Sequence, residues 1–555
     1  MVTIGVLFKN QRRLARAWLR QANWATAVVA AVFLAIGAAV MAGAYWFFLH
    51  AFGILLADDL AGAVIARYVI EAALALIFTL GVMSFIVSSL STLFAPSEMR
   101  FLVALPARPA TLFAHRFIGA AHVASWPVFV IGLPAVLAMG VSLGAGTSFY
   151  LFAVAVLALF TLFIAEVGAV LSFILAALAA RLSRPWLWFG ECVLFLAAII
   201  ALLRRILPRS LFTTFFVYDP GQASAAWDRI GAIFSTLPSH WFADVFSLAL
   251  PGAPAGNALA LVGAIAAALV VVAVALIILA SAAYLPIWQS SEEGGFVAKP
   301  EDAARRPRLA PFPRIFRYRH GFLVEREALG LLRSSEDMSR AGFLLMLLLL
   351  YLMAMGALGG MEEFDGLNAT ILAFAFVSIG YFAFTFAMRF VFPSISLEGR
   401  AAWTLWTAPV HIHEIFTAKL FFWSAAVGLP TVLTALLASL LLGLAAPMIA
   451  MFLISAVCAS ATVVAVALGQ GAVSPNFRER SPDALTTSPA GLAATAVGLA
   501  YLLVLGRYIH RFSTAYLSAG RLDVASVFGV LVVSIAVVGI YWIVAPRAME
   551  RAEIP

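Results

Sequence analysis

Lysine occurs only at positions 9, 299 and 419 of this 555-residue chain, cysteine twice, and charged residues make up 11% of it. Each scarcity excludes a class of protein. A phosphate-cradling loop of the Gly-x-x-x-x-Gly-Lys-Ser/Thr type needs a lysine followed by a hydroxyl residue. Here Lys9, Lys299 and Lys419 are followed by Asn10, Pro300 and Leu420, so the sequence holds no such loop. Cys192 and Cys458 lie singly in apolar stretches, with no CxxC pair or cysteine framework for a disulfide scaffold or zinc site. A soluble domain carries roughly 25% charged residues, so a soluble multidomain enzyme is excluded too. The sequence also lacks a His-Glu-x-x-His motif and an acidic calcium loop, and no catalytic residue is assigned. His411-x-His413-Glu414 comes nearest to a metal cluster. Two imidazoles and a carboxylate in a loop read as ordinary polar contacts, and no metal is assigned.

What the chain has is apolar length: 64% hydrophobic residues and a mean hydropathy of +1.03. A helix crossing a bilayer takes about 20 apolar residues. Twelve stretches qualify: Ala25 to Leu49, Ala72 to Phe94, Phe117 to Val141, Phe149 to Leu178, Pro185 to Leu203, Ala258 to Tyr284, Ala341 to Gly359, Leu367 to Val391, Phe421 to Leu444, Met448 to Leu468, Thr486 to Leu505 and Val524 to Val544. The first has a basic flank but is 25 residues long, beyond the 7–15 of a cleavable signal, and is read as retained. With the N-terminus in the cytoplasm, 27 of the 35 basic residues fall on the inner side, as the positive-inside rule requires. Both termini are therefore expected in the cytoplasm, in a multi-pass inner-membrane protein. The net charge of +8 is a topology signal, with the lipid bilayer and not nucleic acid as its counterpart.

An internal repeat organises the spans. Glu98 and Arg100 match Glu398 and Arg400, and Pro106, Phe113 and Arg116 match Pro409, Phe416 and Lys419 at a spacing of 303. The fold expected is all-α, about twelve transmembrane helices in two tandem six-helix halves, parallel in topology. Residues 1–285 form the first half, 286–340 a cytoplasmic linker, and 341–555 the second half. A basic amphipathic helix leads into each half, with Leu7, Leu14 and Trp18 in the first and Phe322, Leu329 and Leu332 beside Arg326 and Arg333 in the second; both suit the headgroup layer. The first half carries an extra stretch, Pro208 to Asn257. In it Trp227, Ile230, Phe234, Trp241, Phe242 and Phe246 alternate with Asp228, Arg229 and Asp244 in an amphipathic pattern divided at Pro238. It reads as a gate, lid or surface anchor at the outer interface.

These residues resemble the type-two permeases of ATP-binding cassette exporters. Glu98, Arg100, Leu105, Pro106, Phe113 and Arg116 fit that family's short inner loop in the first copy, and Glu398, Arg400, Pro409, Phe416 and Lys419 in the second, where Ala408 replaces the leucine. The resemblance implies that the loops couple the spans to a separate cytoplasmic ATPase subunit, in two copies. It also implies that this chain is no enzyme and binds no cofactor, ATP and Mg being held by the partner. A bland reading of the same loops, prolines ending helices and arginines obeying topology, stays open.

Two carboxylates fall inside spans, Glu166 and Glu191. Intramembrane charges usually face a bundle interior or water, so both are candidates for a transport pathway, beside the plain alternative of a glutamate bonded to a neighbouring helix. A proton-driven secondary transporter of twelve-helix type is the second reading, weakened because Ala95 to Arg116 lacks the Gly-x-x-x-Asp-Arg run of that architecture. An integral-membrane transferase has no catalytic constellation in its support.

Overall fold

The computed structural model describes residue 13 and residues 24–55, 61–93, 103–104, 108–179, 190, 193–202, 223–250, 257–293, 318–333, 335–359, 369–479 and 482–551. Among them every regular element is a helix. This follows from composition, because in hydrocarbon each backbone N–H and C=O must be satisfied within its own segment. Eight described helices are long and apolar enough to cross a membrane: Ala63–Ser89, Thr147–Leu178, Ala258–Gln289, Leu372–Gly399, Ile412–Leu441, Ala446–Val473, Pro489–Ala519 and Val524–Glu550. The chain is a helical membrane protein. It divides into two compact units, one of Met1–Ala22 with Ala31–Arg305 and one of Asn23–Ala30 with Arg306–Pro555.

The first helices in chain order are α1 (Trp24–Leu55), α2 (Ala61–Thr92), α3 (Pro109–Ala124), α4 (Leu133–Ser142), α5 (Thr147–Ala179), α6 (Ala223–Phe234), α7 (His240–Ser247) and α8 (Ala258–Glu293). Pro109 opens α3 after an extended Arg108 (φ −72°, ψ 144°), where its missing N–H is no loss. The expected span from Phe117 to Val141 is not one regular helix. It breaks after Ala124 into a π turn, Val128–Gly132, before α4, because Pro127 and Pro134 each remove a donor from the ladder. Phe85, Phe113, Phe173, Tyr284 and Trp288 join α2, α3, α5 and α8 in one core, with the Tyr284 hydroxyl donating to the Leu93 carbonyl at 2.6 Å. The helix expected from Ala72 begins eleven residues earlier, at Ala61. Arg67 and Glu71, which precede the expected start, therefore lie in this helix, where α7 supplies their partners.

The remaining helices are α9 (Tyr318–Arg333), α10 (Ser335–Gly359), α11 (Ala369–Phe386), α12 (Ala402–Trp406), α13 (Ile412–Leu441), α14 (Ala446–Val473), α15 (Pro482–Thr486), α16 (Pro489–Ala519) and α17 (Val524–Glu550). Phe376 of α11 stacks on Phe452 of α14 with ring centroids 3.5 Å apart, at the centre of a core that extends through α13 and α16. Below α11 the chain stays helical but changes pitch. A π turn, Ala387–Val391, passes into short 3₁₀ segments, Phe392–Ser394 and Ser396–Ala401. Gly399 turns it with φ 54° and ψ −135°, a conformation that side chains with a Cβ resist. This bent segment rests on the end of α14. Gly471 lets the Phe392 carbonyl approach so closely that a Cβ would collide with backbone, and the Asn476 N–H donates to Ser396 Oγ at 3.0 Å.

Gly471→Ala is expected to destabilise the protein by about 1–3 kcal/mol, the usual penalty for overpacking. Gly539→Ala, at a position with open space around it, should leave the melting temperature of the detergent-solubilised protein unchanged or slightly raised. Equal behaviour of the two variants would remove the close approach as the reason for glycine at 471.

Candidate functional site

In the segment between α11 and α13 the structure assembles residues that are distant in sequence. Lys419, in the second turn of α13, is 3% exposed. Its ammonium donates to Glu327 Oε1 of α9 at 2.7 Å and to Glu398 Oε1 of the bent segment at 3.0 Å. Arg326 closes the ring, donating through Nη1 to Glu398 Oε1 at 2.9 Å and through Nη2 to Glu398 Oε2, and lying 3.2 Å from Glu327 Oε1. Two cations thus meet two carboxylates, and the cluster is neutral. The forked guanidinium contact is the geometry for which arginine suits a carboxylate better than lysine. The Glu398 hydrogen bond outweighs burial and raises the Arg326 pKa further above its usual value. Around these charges Leu323 and Val324 of α9 pack on Leu405, Ile415 and Ala418, so three elements are fastened by one polar knot in an apolar collar.

Of the residues predicted for this loop, Glu398 and Lys419 are brought together. Phe416 is fully buried one turn before Lys419, and Arg400 lies in the 3₁₀ segment. Pro409 is exposed in the turn before α13, near exposed Trp403 and Leu397. The apolar face of α9 differs from the expected one: Leu323, Val324 and Ala328 are buried, whereas Phe322 and Leu332 are exposed. His413 packs against the Trp542 ring at 5.4 Å and shares a contact with Thr417. In the first copy Phe113 is buried against Phe117, Phe173 and Tyr284, and Arg116 stands on the second turn of α3. Glu98, Arg100, Leu105 and Pro106 lie outside the described residues, as does Glu191. Glu166, midway along α5, is 1% exposed, and neither of its carboxyl oxygens has a hydrogen-bond partner among the described residues.

A second cluster joins α6 and α7 to α2. α6 and α7 lie on either side of the predicted break at Pro238, with Phe242 buried against Phe160 and Phe163 of α5 and Phe234 against Tyr68. Arg67 Nη2 donates to Asp244 Oδ1 at 2.9 Å and lies 4.0 Å from Glu71 Oε1. His240 Nδ1 is 2.7 Å from Glu71 Oε1, and its Nε2 is 3.2 Å from Asp244 Oδ2. Both ring nitrogens therefore face carboxyl groups, and with both of these ionised each nitrogen donates, as in an imidazolium. Burial works against the cation. The Glu71 hydrogen bond and the charges of Glu71 and Asp244 outweigh burial and the repulsion from Arg67, so the His240 pKa is raised. Glu71, His240 and Asp244 also form the metal-capable grouping among the described residues, with one ligand atom each within 4.8 Å. The carboxylates hold opposite ring nitrogens, however, and Arg67 already places a positive charge between them.

A family model described as a putative ATP-binding cassette matches residues 22–547. No curated protein matches the chain. The match corrects the expectation of a type-two exporter permease energised by a separate ATPase subunit, and with it the expectations that this chain has no ATPase role and that ATP and Mg are bound only by a partner. Those rested on short loop motifs, whereas the family description attaches the cassette to nearly the whole of this chain. It gives no support to a proton-driven secondary transporter. The described residues themselves do not fit a nucleotide in the usual way. Lys419 is buried and already bonded to two carboxylates, and no strand precedes a glycine-rich loop among the described residues.

Two outcomes follow from these clusters. Lys419→Met leaves two buried carboxylates facing one arginine and should destabilise the second unit by about 3–5 kcal/mol, read as a lowered melting temperature; a drop no larger than that of Arg547→Gln, an exposed control, would show that the knot contributes little. For His240 the folded pKa is raised above the usual 6.5. Its contribution is therefore complete below the unfolded value and is lost as pH rises through the folded value. Hydrogen-exchange protection of α6 and α7 should accordingly fall on going from acidic to alkaline pH, and His240→Gln should abolish that dependence; a profile identical in the variant refutes it.

Proposed function

The chain belongs to the putative ATP-binding cassette family, and from that premise we propose that it is a membrane-embedded ATP-binding cassette transporter. In this reading the segment from Glu398 to Lys419 passes motion between the spans and the cytoplasmic parts of the assembly. The observation that carries it is the buried knot of Lys419, Glu398, Arg326 and Glu327. A push on the exposed turn at Trp403 and Pro409 reaches α9 and α13 together, because the knot and its apolar collar leave little slack. Stiff packed elements transmit displacement as rigid-body movement.

Two tandem halves, with both termini in the cytoplasm of an inner-membrane protein, complete the proposal. Supporting the repeat, Arg108 and His411 precede α3 and α13 with nearly the same extended backbone, φ −72° and ψ 144° against φ −71° and ψ 142°. Gly144 and Gly443 then close the following turns with φ 62° and 63°. Glu166, buried and without a partner for either oxygen among the described residues, is the pathway contact this reading favours. The substrate stays open.

The test is ATP turnover by the full chain, purified gently with whatever accompanies it and reconstituted into liposomes. Trp403→Ala and Pro409→Gly alter only exposed positions and should keep the melting temperature while lowering ATP turnover about tenfold, an effect of roughly 1.4 kcal/mol on the barrier. Unchanged turnover in both variants refutes the transmitting role, and preparations of intact protein without ATP turnover refute the transporter reading itself.

A further inference from the structure

The end of α16 and the turn into α17 collect positive charge in a way the knot does not explain. Arg507, His510, Arg511 and Thr514 stand at helical spacings of three, four and seven, and so share one face of α16. Gly520, with φ 62°, closes the helix. Its N–H donates to the Tyr516 carbonyl at 2.9 Å and that of Arg521 to the Ala515 carbonyl at 3.3 Å. This left-handed cap folds Arg521 back over the same face. Arg507, His510, Arg511, Thr514 and Arg521, with Asp523, line one open cavity of about 530 Å³.

The charges there do not cancel. Asp523 is committed: it accepts from Ser526 Oγ at 2.7 Å and pairs with Arg511 Nε at 3.0 Å, and the Ser526 hydrogen bond, helped by the Arg511 charge, holds its carboxyl below the usual range. Three guanidinium groups therefore share one carboxylate. Arg507 and Arg521 have no carboxylate partner among the described residues. Such a surplus, in forked groups that bind two oxygens at once, selects a phosphate or another compact oxyanion.

The walls narrow the choice. Tyr501 Oη and Ser534 Oγ lie 2.8 Å apart, and Gly529 abuts the Tyr508 ring, so in this antiparallel pairing Arg507 stands level with the first two turns of α17. There Phe528 is 67% exposed and, one turn along α16, Leu503 is 74% exposed. A free anion has no use for that apolar skirt, whereas an anionic lipid fills both parts: its headgroup meets the arginines while its chains lie along Phe528 and Leu503. The geometry points to this cavity as a binding site for the phosphate headgroup of an anionic phospholipid.

The site can be tested on the full chain in neutral detergent, by titrating phosphatidylglycerol, phosphatidylcholine or inorganic phosphate and reading the melting temperature, with native mass spectrometry to count retained lipid. Phosphatidylglycerol should raise the melting temperature and phosphatidylcholine should not, and added salt should weaken the effect. In the double variant Arg507→Gln with Arg521→Gln, which spares the Arg511–Asp523 pair, apparent affinity should fall about tenfold or more while the lipid-free melting temperature holds. Arg547→Gln with Arg551→Gln, at the far end of α17, should keep the full response. Equal responses in the two double variants overturn the site. A full response to inorganic phosphate alone, or equal responses to the two lipids, overturns the lipid assignment.

Discussion

Lys419 begins a long apolar helix, and its ammonium has no water to turn to. A charge taken out of water is tolerated only when partners of opposite sign and good geometry surround it. Glu327 and Glu398 provide them, and Arg326 neutralises the remaining charge. Much of the second unit's layout follows from this one requirement. α9 must lie against the start of α13 to deliver Glu327. The chain below α11 must bend to bring Glu398 to the same point, and the bend requires Gly399 in a left-handed conformation and Gly471 beneath the Phe392 carbonyl.

Charge balance also links the knot to the cluster on the first unit. There Arg67, Glu71, His240 and Asp244, with both carboxyl groups ionised, complete each other when the imidazole is charged. One joint pairs lysine and arginine with two glutamates, and the other depends on a histidine. The second answers to acidity, on the short helices α6 and α7.

The helical architecture was largely legible in the sequence, because apolar runs of bilayer length admit little else, and the break at Pro238 was visible as a proline between two amphipathic segments. Glu398 and Lys419 were found through the repeat. Glu327 was missed, although a glutamate set among Leu323, Val324, Ala328 and Leu331 on the buried face of α9 signals that a cation must meet it. The start expected at Ala72 left Arg67 and Glu71 outside their helix, which begins at Ala61. Their spacing of four residues was the contrary signal. The pairing with α7 was not legible, since it joins residues more than 160 positions apart. The division of labour with a separate ATPase was inferred from loop motifs a few residues long, and the family match over residues 22–547 reassigns it.

The π turns at Val128–Gly132 and Ala387–Val391 bear on how this sequence can change over time. A π turn holds one residue more than the regular helix around it, and each residue advances a helix by about 100°. Deleting a single residue within Ala387–Val391 would turn it into a regular helical turn and leave Glu398 facing Lys419, whereas a deletion in the regular part of α11 would swing Glu398 by that angle. Relatives of different length should therefore place single-residue insertions and deletions in these turns and not in the regular helices around them.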